Sequence, residues 1–224
     1  MIRTIVRSIH SYIRFSWHMM KLFCKLMRGI WKVSKLKHPP VAIFGGSKLG
    51  PDSIYIKQAS QLSRLLASSG IPVLNGGGPG IMEASTCGAL EVQQGVVTAI
   101  GITVSGLNLH EPPSKCVAEV IILDDYAARK WLLINYSVGF VVFPGGFGTI
   151  NELTEVLTLI QTKLSTQVPL VLIGKEFWHP FIEWMRTSVL AQGLITQEDF
   201  ELIIVTDDLE EALSILNKSC LQKS

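Results

Sequence analysis

Ile2, Val6, Ile9, Ile13, Met20, Phe23, Met27 and Ile30 follow one another at spacings near three and four. That is the period of a single helix face. Arg3, Arg7, Arg14, Lys21, Lys25, Arg28 and Lys32 fall largely elsewhere around the wheel. The opening segment therefore predicts an amphipathic helix, or two in succession, with a cationic polar face. Pro39-Pro40 stops any helix and marks a boundary. Beyond it the pattern becomes short apolar runs alternating with helical periods. "VAIFGG" reads as a first strand, followed by a helix from Ile54 to Ser69. "IPVLNGGG" is a second strand, with a helix from Ile81 to Val92. "VVTAIGI" and "EVIIL" are the third and fourth, and a helix spans Ala127 to Val138. "GFVVF" is the fifth, with a helix from Thr149 to Gln161, and "PLVLIG" is the sixth, with a helix from Phe177 to Gln192. "LIIV" and a helix from Asp208 to Asn217 finish the chain.

Strands apolar on both faces with intervening helices predict an α/β fold, a doubly wound parallel sheet with helices on both faces. The predicted organisation is a basic helical extension over 1–40, a nucleotide-binding catalytic domain over 41–219 and a tail over 220–224.

Charge sharpens this division. The chain has a net charge of only +2, yet residues 1–38 hold nine basic side chains and no acid, which leaves the remainder at −7. A uniformly basic surface for nucleic acid is excluded. Although 48% of residues are hydrophobic, no run of about 18 uncharged apolar residues reads as a membrane span. Basic residues interrupt the N-terminal segment too often for a secretory signal. The arm has three destinations: packing on its own domain or a partner subunit, lying on an anionic membrane, or acting as an organelle presequence. Phe15 to Lys35 are expected to pack on the domain, with the first dozen residues loosely held. Peripheral membrane contact through residues 1–35 is the expected exception to a cytoplasmic location.

Cys24, Cys87, Cys116 and Cys220 lie far apart without CxxC spacing, which fits reduced thiols in a cytosol rather than a zinc site or a disulfide framework. The five histidines are scattered. His110 alone falls near a plausible site, and a surface role suffices for it. No metal ligand set and no cofactor are expected.

Glycines crowd the carboxyl ends of the strands: Gly45-Gly46-Ser47, then Gly76-Gly77-Gly78-Pro79-Gly80, then Gly145-Gly146-Phe147-Gly148. Ligands bind at those ends in doubly wound sheets. Glycine admits close backbone approach, and helix N-termini offer N–H groups to an anion. Tight turns alone use glycine too, but three converging loops point to a phosphate or nucleotide. "FGGSKLG" lacks the G-x-G-x-x-G fingerprint and Asn75 stands where an acid would close the second strand, so a standard NAD site is excluded. No G-x-x-x-x-G-K-[ST] occurs, which excludes a P-loop.

"PGGFGTINE", residues 144–152, resembles the PGGxGTxxE motif of the Lonely Guy phosphoribohydrolases, a family long mislabelled as lysine decarboxylases. "GGGPGIMEA" resembles the glycine-rich motif of the family's bacterial branch, "ARK" (128–130) its Arg-Lys pair, and "ELTEVLTLIQT" its following helix. The resemblance spans roughly residues 41–215. It implies a dimeric Rossmann-like enzyme that cleaves nucleoside 5′-monophosphates to a free base and ribose 5-phosphate. In plants and some bacteria the base is a cytokinin; other bacterial members take ordinary purine or pyrimidine monophosphates. Nothing reads as a pyridoxal phosphate lysine site.

Breaking an N-glycosidic bond builds positive charge on the ribose and negative charge on the departing base. A carboxylate suits the first and a cation or proton donor the second. Backbone N–H groups from Gly145 through Gly146 and Gly148 to Thr149, with the Thr149 hydroxyl, suit the 5′-phosphate. Glu152, one helical turn on, is then placed against the ribose, although Thr149 and Glu152 also satisfy a capping box. The resemblance makes Arg129 the family's catalytic arginine. It adds Glu83 as a catalytic acid, where an acid would also complement the helix dipole. Gly46, Ser47, Gly77, Gly78, Met82, Glu111, Lys130 and Thr158 complete the substrate-binding set that it implies.

Two departures bear on the base. "GGGPGIMEA" replaces the plant form GGGxxGLMG, and "LDDYAARK" lacks the Met-His or aromatic-rich lead of many members. The alternative function is a non-catalytic nucleotide or molybdenum-cofactor carrier, which would need the phosphate loop but not the Arg129–Glu152 pair. A two-fold dimer is also expected, because "ARKWLLINYSVGF" carries apolar side chains on more than one face.

Overall fold

The computed structural model describes residues 2–92, 98–106, 116, 119–164 and 168–222. Seven strands form one sheet: β1 (Val41–Phe44), β2 (Val73–Asn75), β3 (Ala99–Val104), β4 (Glu119–Leu123), β5 (Phe140–Val142), β6 (Leu170–Ile173) and β7 (Ile203–Thr206). Their order is β4-β3-β2-β1-β5-β6-β7, and every pairing is parallel. The chain builds outward from β1 to β4, then returns to the other side of β1 to start β5. Strand order reverses there, with Ala42 opposite Phe140 and Phe44 opposite Val142.

The central strands are apolar because both faces are covered, whereas the edge strand β4 leaves Val120 and Ile122 exposed. In β1, Ala42 and Phe44 point into one core while Val41 and Ile43 point into the other, the two-residue alternation of a pleated strand. The first core is closed by α4 (Tyr126–Asn135), α5 (Phe147–Gln161) and α6 (Lys175–Trp184) through Leu132, Leu153 and Trp178. The second is closed by α2 (Ile54–Ser68), α3 (Ile81–Leu90) and α8 (Leu209–Gln222) through Leu62, Ile81 and Leu216. A π-helical stretch, Met185–Leu190, continues α6, and the short α7 (Gln197–Phe200) carries a Thr196–Asp199 capping box. The apolar pattern does not predict α7.

The basic arm is one continuous helix, α1 (Ile2–Val33). Its packing begins later than the periodicity predicts. Every residue from His10 to Lys21 is exposed, and Phe15 itself is 61% exposed. Leu22, Leu26, Ile30 and Val33 join the first core. Gly29 makes the approach possible: a Cβ there would lie 2.9 Å from Leu132 and 3.2 Å from Ile121. Lys25 pairs with Asp124 at 2.6 Å and Lys32 with Glu119 at 2.9 Å, fixing the last turns against β4. Part of the apolar surplus read in "ARKWLLINYSVGF" is thus covered by this chain's own α1.

The cysteine expectation needs correction. The fold brings Cys87 of α3 and Cys116 to a Cα separation of 5.3 Å across 29 residues of sequence, and their sulfurs are bonded. Spacing along the chain could not show a pairing made by the crossover from α3 through β3 toward β4.

Candidate active site

The reversal of strand order leaves a crevice between the ends of β1 and β5, where doubly wound sheets hold ligands. The Gly46 N–H donates to the Pro144 carbonyl at 2.9 Å, and the Gly46 carbonyl accepts from the Ile81 N–H at 3.1 Å. Three glycine loops are thereby locked together. A cavity of about 580 Å³ opens over them, lined by Gly45 to Leu49, Pro144 to Thr149, Arg129 and Glu152 among others.

One wall is the N-terminus of α5. Gly146 is its N-cap and has no side chain to offer the first turn, so the N–H groups of that turn face the cavity uncapped. Thr149 lies in the first turn and is buried. Its side chain sits so close to Gly145 that a Cβ on Gly145 would overlap it. This geometry overturns the capping-box reading. The helix begins at Phe147, two residues before Thr149, so Thr149 cannot be the cap and Glu152 stands in the second turn.

Arg129 and Glu152 face each other across the cavity floor. Both are 7% exposed, with Nη1 and Oε1 3.6 Å apart, close enough to attract strongly but too long for a hydrogen bond. Arg129 is held from three sides. Its Nε donates to the Ile102 carbonyl at 2.8 Å, the Tyr126 ring lies 5.2 Å from Cζ, and Gly76 leaves room for the guanidinium. Asp125 caps α4 by accepting from the Ala128 N–H at 2.8 Å, which fixes the turn that carries Arg129. Burial pushes the Glu152 carboxyl up to about 7, and the positive charges of Arg129 and Lys130 limit the rise. A carboxyl that exchanges its proton near neutrality, beside a fixed cation, suits proton transfer and charge stabilisation.

The structure brings Arg129, Glu152, Gly46, Ser47, Met82, Gly145, Gly146, Gly148 and Thr149 to one cavity. Other candidates lie elsewhere. Glu83 is half-buried in the first turn of α3, outside the lining. Gly77 and Gly78 are outside it too; the Gly77 N–H is used by the Asn75 side chain at 2.8 Å. Lys130 turns away to pair with Glu155 and with Asn151. Thr158 donates to the Thr154 carbonyl at 2.8 Å and lines a separate groove on the outside of α5. Glu111 and His110 lie outside the described residues.

Several lining residues were not legible in the motifs: Thr103, Tyr126, Tyr55 and Phe177. Tyr126 had a signal, standing three residues before Arg129 on the same helix. Tyr55 and Phe177 come from α2 and α6, and no local pattern connects them to the glycine loops. Burial, then the carboxylates of Glu176 and Asp207, pushes the Tyr55 phenol up from its ordinary value, so it stays a hydrogen-bond donor at the cavity wall.

A family model described as "Possible lysine decarboxylase" matches residues 82–216. A cytokinin riboside 5′-monophosphate phosphoribohydrolase of Arabidopsis thaliana is 28% identical over 187 residues, covering 83% of this chain and 85% of that protein. A pyrimidine/purine nucleotide 5′-monophosphate nucleosidase of Escherichia coli K12 is 28% identical over 225 residues. That match covers 94% of this chain but spans only 49% of the relative. Among solved structures, the molybdenum cofactor binding protein of Rippkaea orientalis superposes with a TM-score of 0.59. At 22% identity, covering 82% of this chain and 98% of that one, the likeness is one of fold.

Proposed function

The chain belongs to the Lonely Guy phosphoribohydrolase family, the one whose model keeps the lysine decarboxylase description, and on that premise we propose that it hydrolyses nucleoside 5′-monophosphates to free base and ribose 5-phosphate. One observation carries the reading: the buried Arg129–Glu152 pair opens onto the same cavity as the uncapped start of α5.

The 5′-phosphate sits on the N–H groups of Phe147, Gly148 and Thr149, where the helix dipole adds to the hydrogen bonds. The ribose then extends toward the pair. Water adds to C1′ as the C1′–N bond breaks and its electron pair leaves with the base. Glu152 in its ionised form stabilises the positive ribose and takes the proton of the attacking water. Arg129, held by Ile102 and Tyr126 and permanently charged, offsets the negative charge on the departing base. The base then takes the proton from Glu152 and leaves neutral, restoring the carboxylate. Charge fixed in place before reaction is usually the largest catalytic contribution. A carrier of the same fold would have no use for this pair.

A two-fold dimer belongs to the same proposal. A groove between α5 and α6 is lined by Leu157, Phe181, Trp184 and Leu202, and Trp184 is 54% exposed. A second copy of this chain would cover it. The location read with it is cytoplasmic.

The test is a panel. Purified protein is incubated with AMP, the other common 5′-monophosphates and isopentenyladenosine 5′-monophosphate, and free base is measured by chromatography. Release from at least one substrate is expected. Inertness toward the whole panel, or a tightly held cofactor that survives purification without turnover, would overturn the reading. Sedimentation at a monomer's mass would overturn the dimer alone.

A further inference from the structure

We propose that the outer face of α1 is a docking surface for an anionic membrane. Ile13, Trp17, Met20, Cys24, Met27 and Trp31 follow one another at alternating spacings of four and three, so they form a single stripe along the helix. Every one of them is exposed. Beside the stripe, Arg14, Lys21, Arg28 and Lys35 recur at every seventh residue, which keeps them along one of its edges.

The stripe points away from the domain. Gly29 and Val33 face the core, while Met27 and Trp31 each lie two residues earlier, and two residues turn a helix by about 200°. At its basic edge Trp17, Met20 and Cys24 share a shallow pocket with Lys25 and Asp124. A surface can meet the outer side of the stripe without displacing the packing of Leu22, Leu26 and Ile30. The exposed turns from His10 to Lys21 alone extend about 18 Å.

Charge selects the partner. Residues 1–38 hold no acid, so a second copy of the helix could not neutralise the basic row; antiparallel pairing on the stripe would set that row against itself. On this chain's own domain, Lys25 and Lys32 have acidic partners. Among the described residues, Arg14, Lys21 and Arg28 have no ion pair. Lipid phosphates would supply a counter-charge to each of them at once. The aromatic groups fit the same setting: the Lys21 ammonium stands 5.3 Å from the Trp17 ring centre and that of Lys35 3.3 Å from Trp31. Indoles beside long basic side chains suit the boundary between acyl chains and headgroups. Among the described residues no helix is long and apolar enough to cross a membrane, so α1 would lie on the surface and hold reversibly.

The full-length protein is sedimented with vesicles of phosphatidylcholine alone and with vesicles containing about one quarter phosphatidylglycerol. Binding to the anionic vesicles only is expected, and weakening by salt as screening shortens the reach of the charges. Each basic residue near such a surface contributes roughly a fivefold factor. The Arg14→Gln/Lys21→Gln/Arg28→Gln variant should therefore bind about a hundredfold more weakly. Ile13→Ser/Met20→Ser should also lose binding, and both variants should keep the melting temperature and base-releasing activity of the parent. Equal recovery with neutral and anionic vesicles, or full binding by the triple variant, would overturn the proposal. Absence of vesicle binding, with Ile13→Ser/Met20→Ser sedimenting as a smaller species than the parent, would assign the stripe to a second copy instead.

Discussion

Gly76 lies so close to the Arg129 guanidinium that a methyl group at Gly76 would overlap Nη2 and press on the Met82 sulfur at 2.7 Å. The guanidinium cannot simply swing aside, because its Nε is committed to the Ile102 carbonyl. The second glycine loop thus shapes the site chiefly by the space it leaves for the guanidinium at Gly76.

Gly76→Ala should accordingly misplace Arg129 while the sheet stays intact. A shift of about 1 Å in a catalytic group can cost roughly 10²-fold in rate, and a loss of that order in kcat is expected. Steady-state kinetics, with a circular dichroism melt to confirm folding, would check it. Unchanged kcat would mean that the position of Arg129 does not limit the reaction.

Arg129 and Lys130 are adjacent in sequence, but Arg129 lines the cavity and Lys130 does not. Arg129→Met should lower kcat/KM by about 10²–10³-fold, the size of loss seen when one preorganised charge is removed. Lys130→Met removes a contact to Glu155 and Asn151 outside the cavity, and its effect should stay below about tenfold. Equal losses would place Lys130 in the site when substrate is bound.

Activity should depend on pH through Glu152. With its carboxyl titrating at about 7, the ionised form required by the mechanism fills in as pH rises. The profile of kcat/KM should therefore climb toward a plateau with a midpoint near that value. Glu152→Gln should lose roughly 10²–10³ in kcat and flatten this limb. A limb that persists in the variant would belong to another group.

Stability should move the other way. The folded carboxyl binds its proton more tightly than the unfolded one, 4.5 being the ordinary value and about 7 the buried one. Between those pH values the folded state holds more protons than the unfolded state, so stability falls as pH rises through the window. The full effect is on the order of a few kcal/mol. Urea midpoints measured across the window should decline for the parent more steeply than for Glu152→Gln. Parallel slopes would refute the raised carboxyl.

Local pattern determined much of this protein. Seven apolar runs were legible because the central strands are buried on both faces and the edge strands keep apolar residues even where β4 exposes Val120 and Ile122. Most helices were legible because their apolar residues keep a regular period. Glycines at strand ends marked the crevice, and the Pro144–Glu152 motif with Arg129 named the two side chains that meet there. Tertiary structure decided what depends on neighbours distant in sequence. The start of α5 at Phe147 removed Thr149 from the cap. Both Arg129 and Lys130 reach α5, but Arg129 meets Glu152 at the cavity while Lys130, the next residue, meets Asn151 and Glu155 beyond its lining. Tyr55 and Phe177 became walls only because α2 and α6 converge on the β1–β5 crevice, and Cys87 met Cys116 only through the crossover. Periodicity records which residues share a face of one element. Which surface lies opposite that face is set by close packing between elements, and nothing in the spacing along one element encodes it.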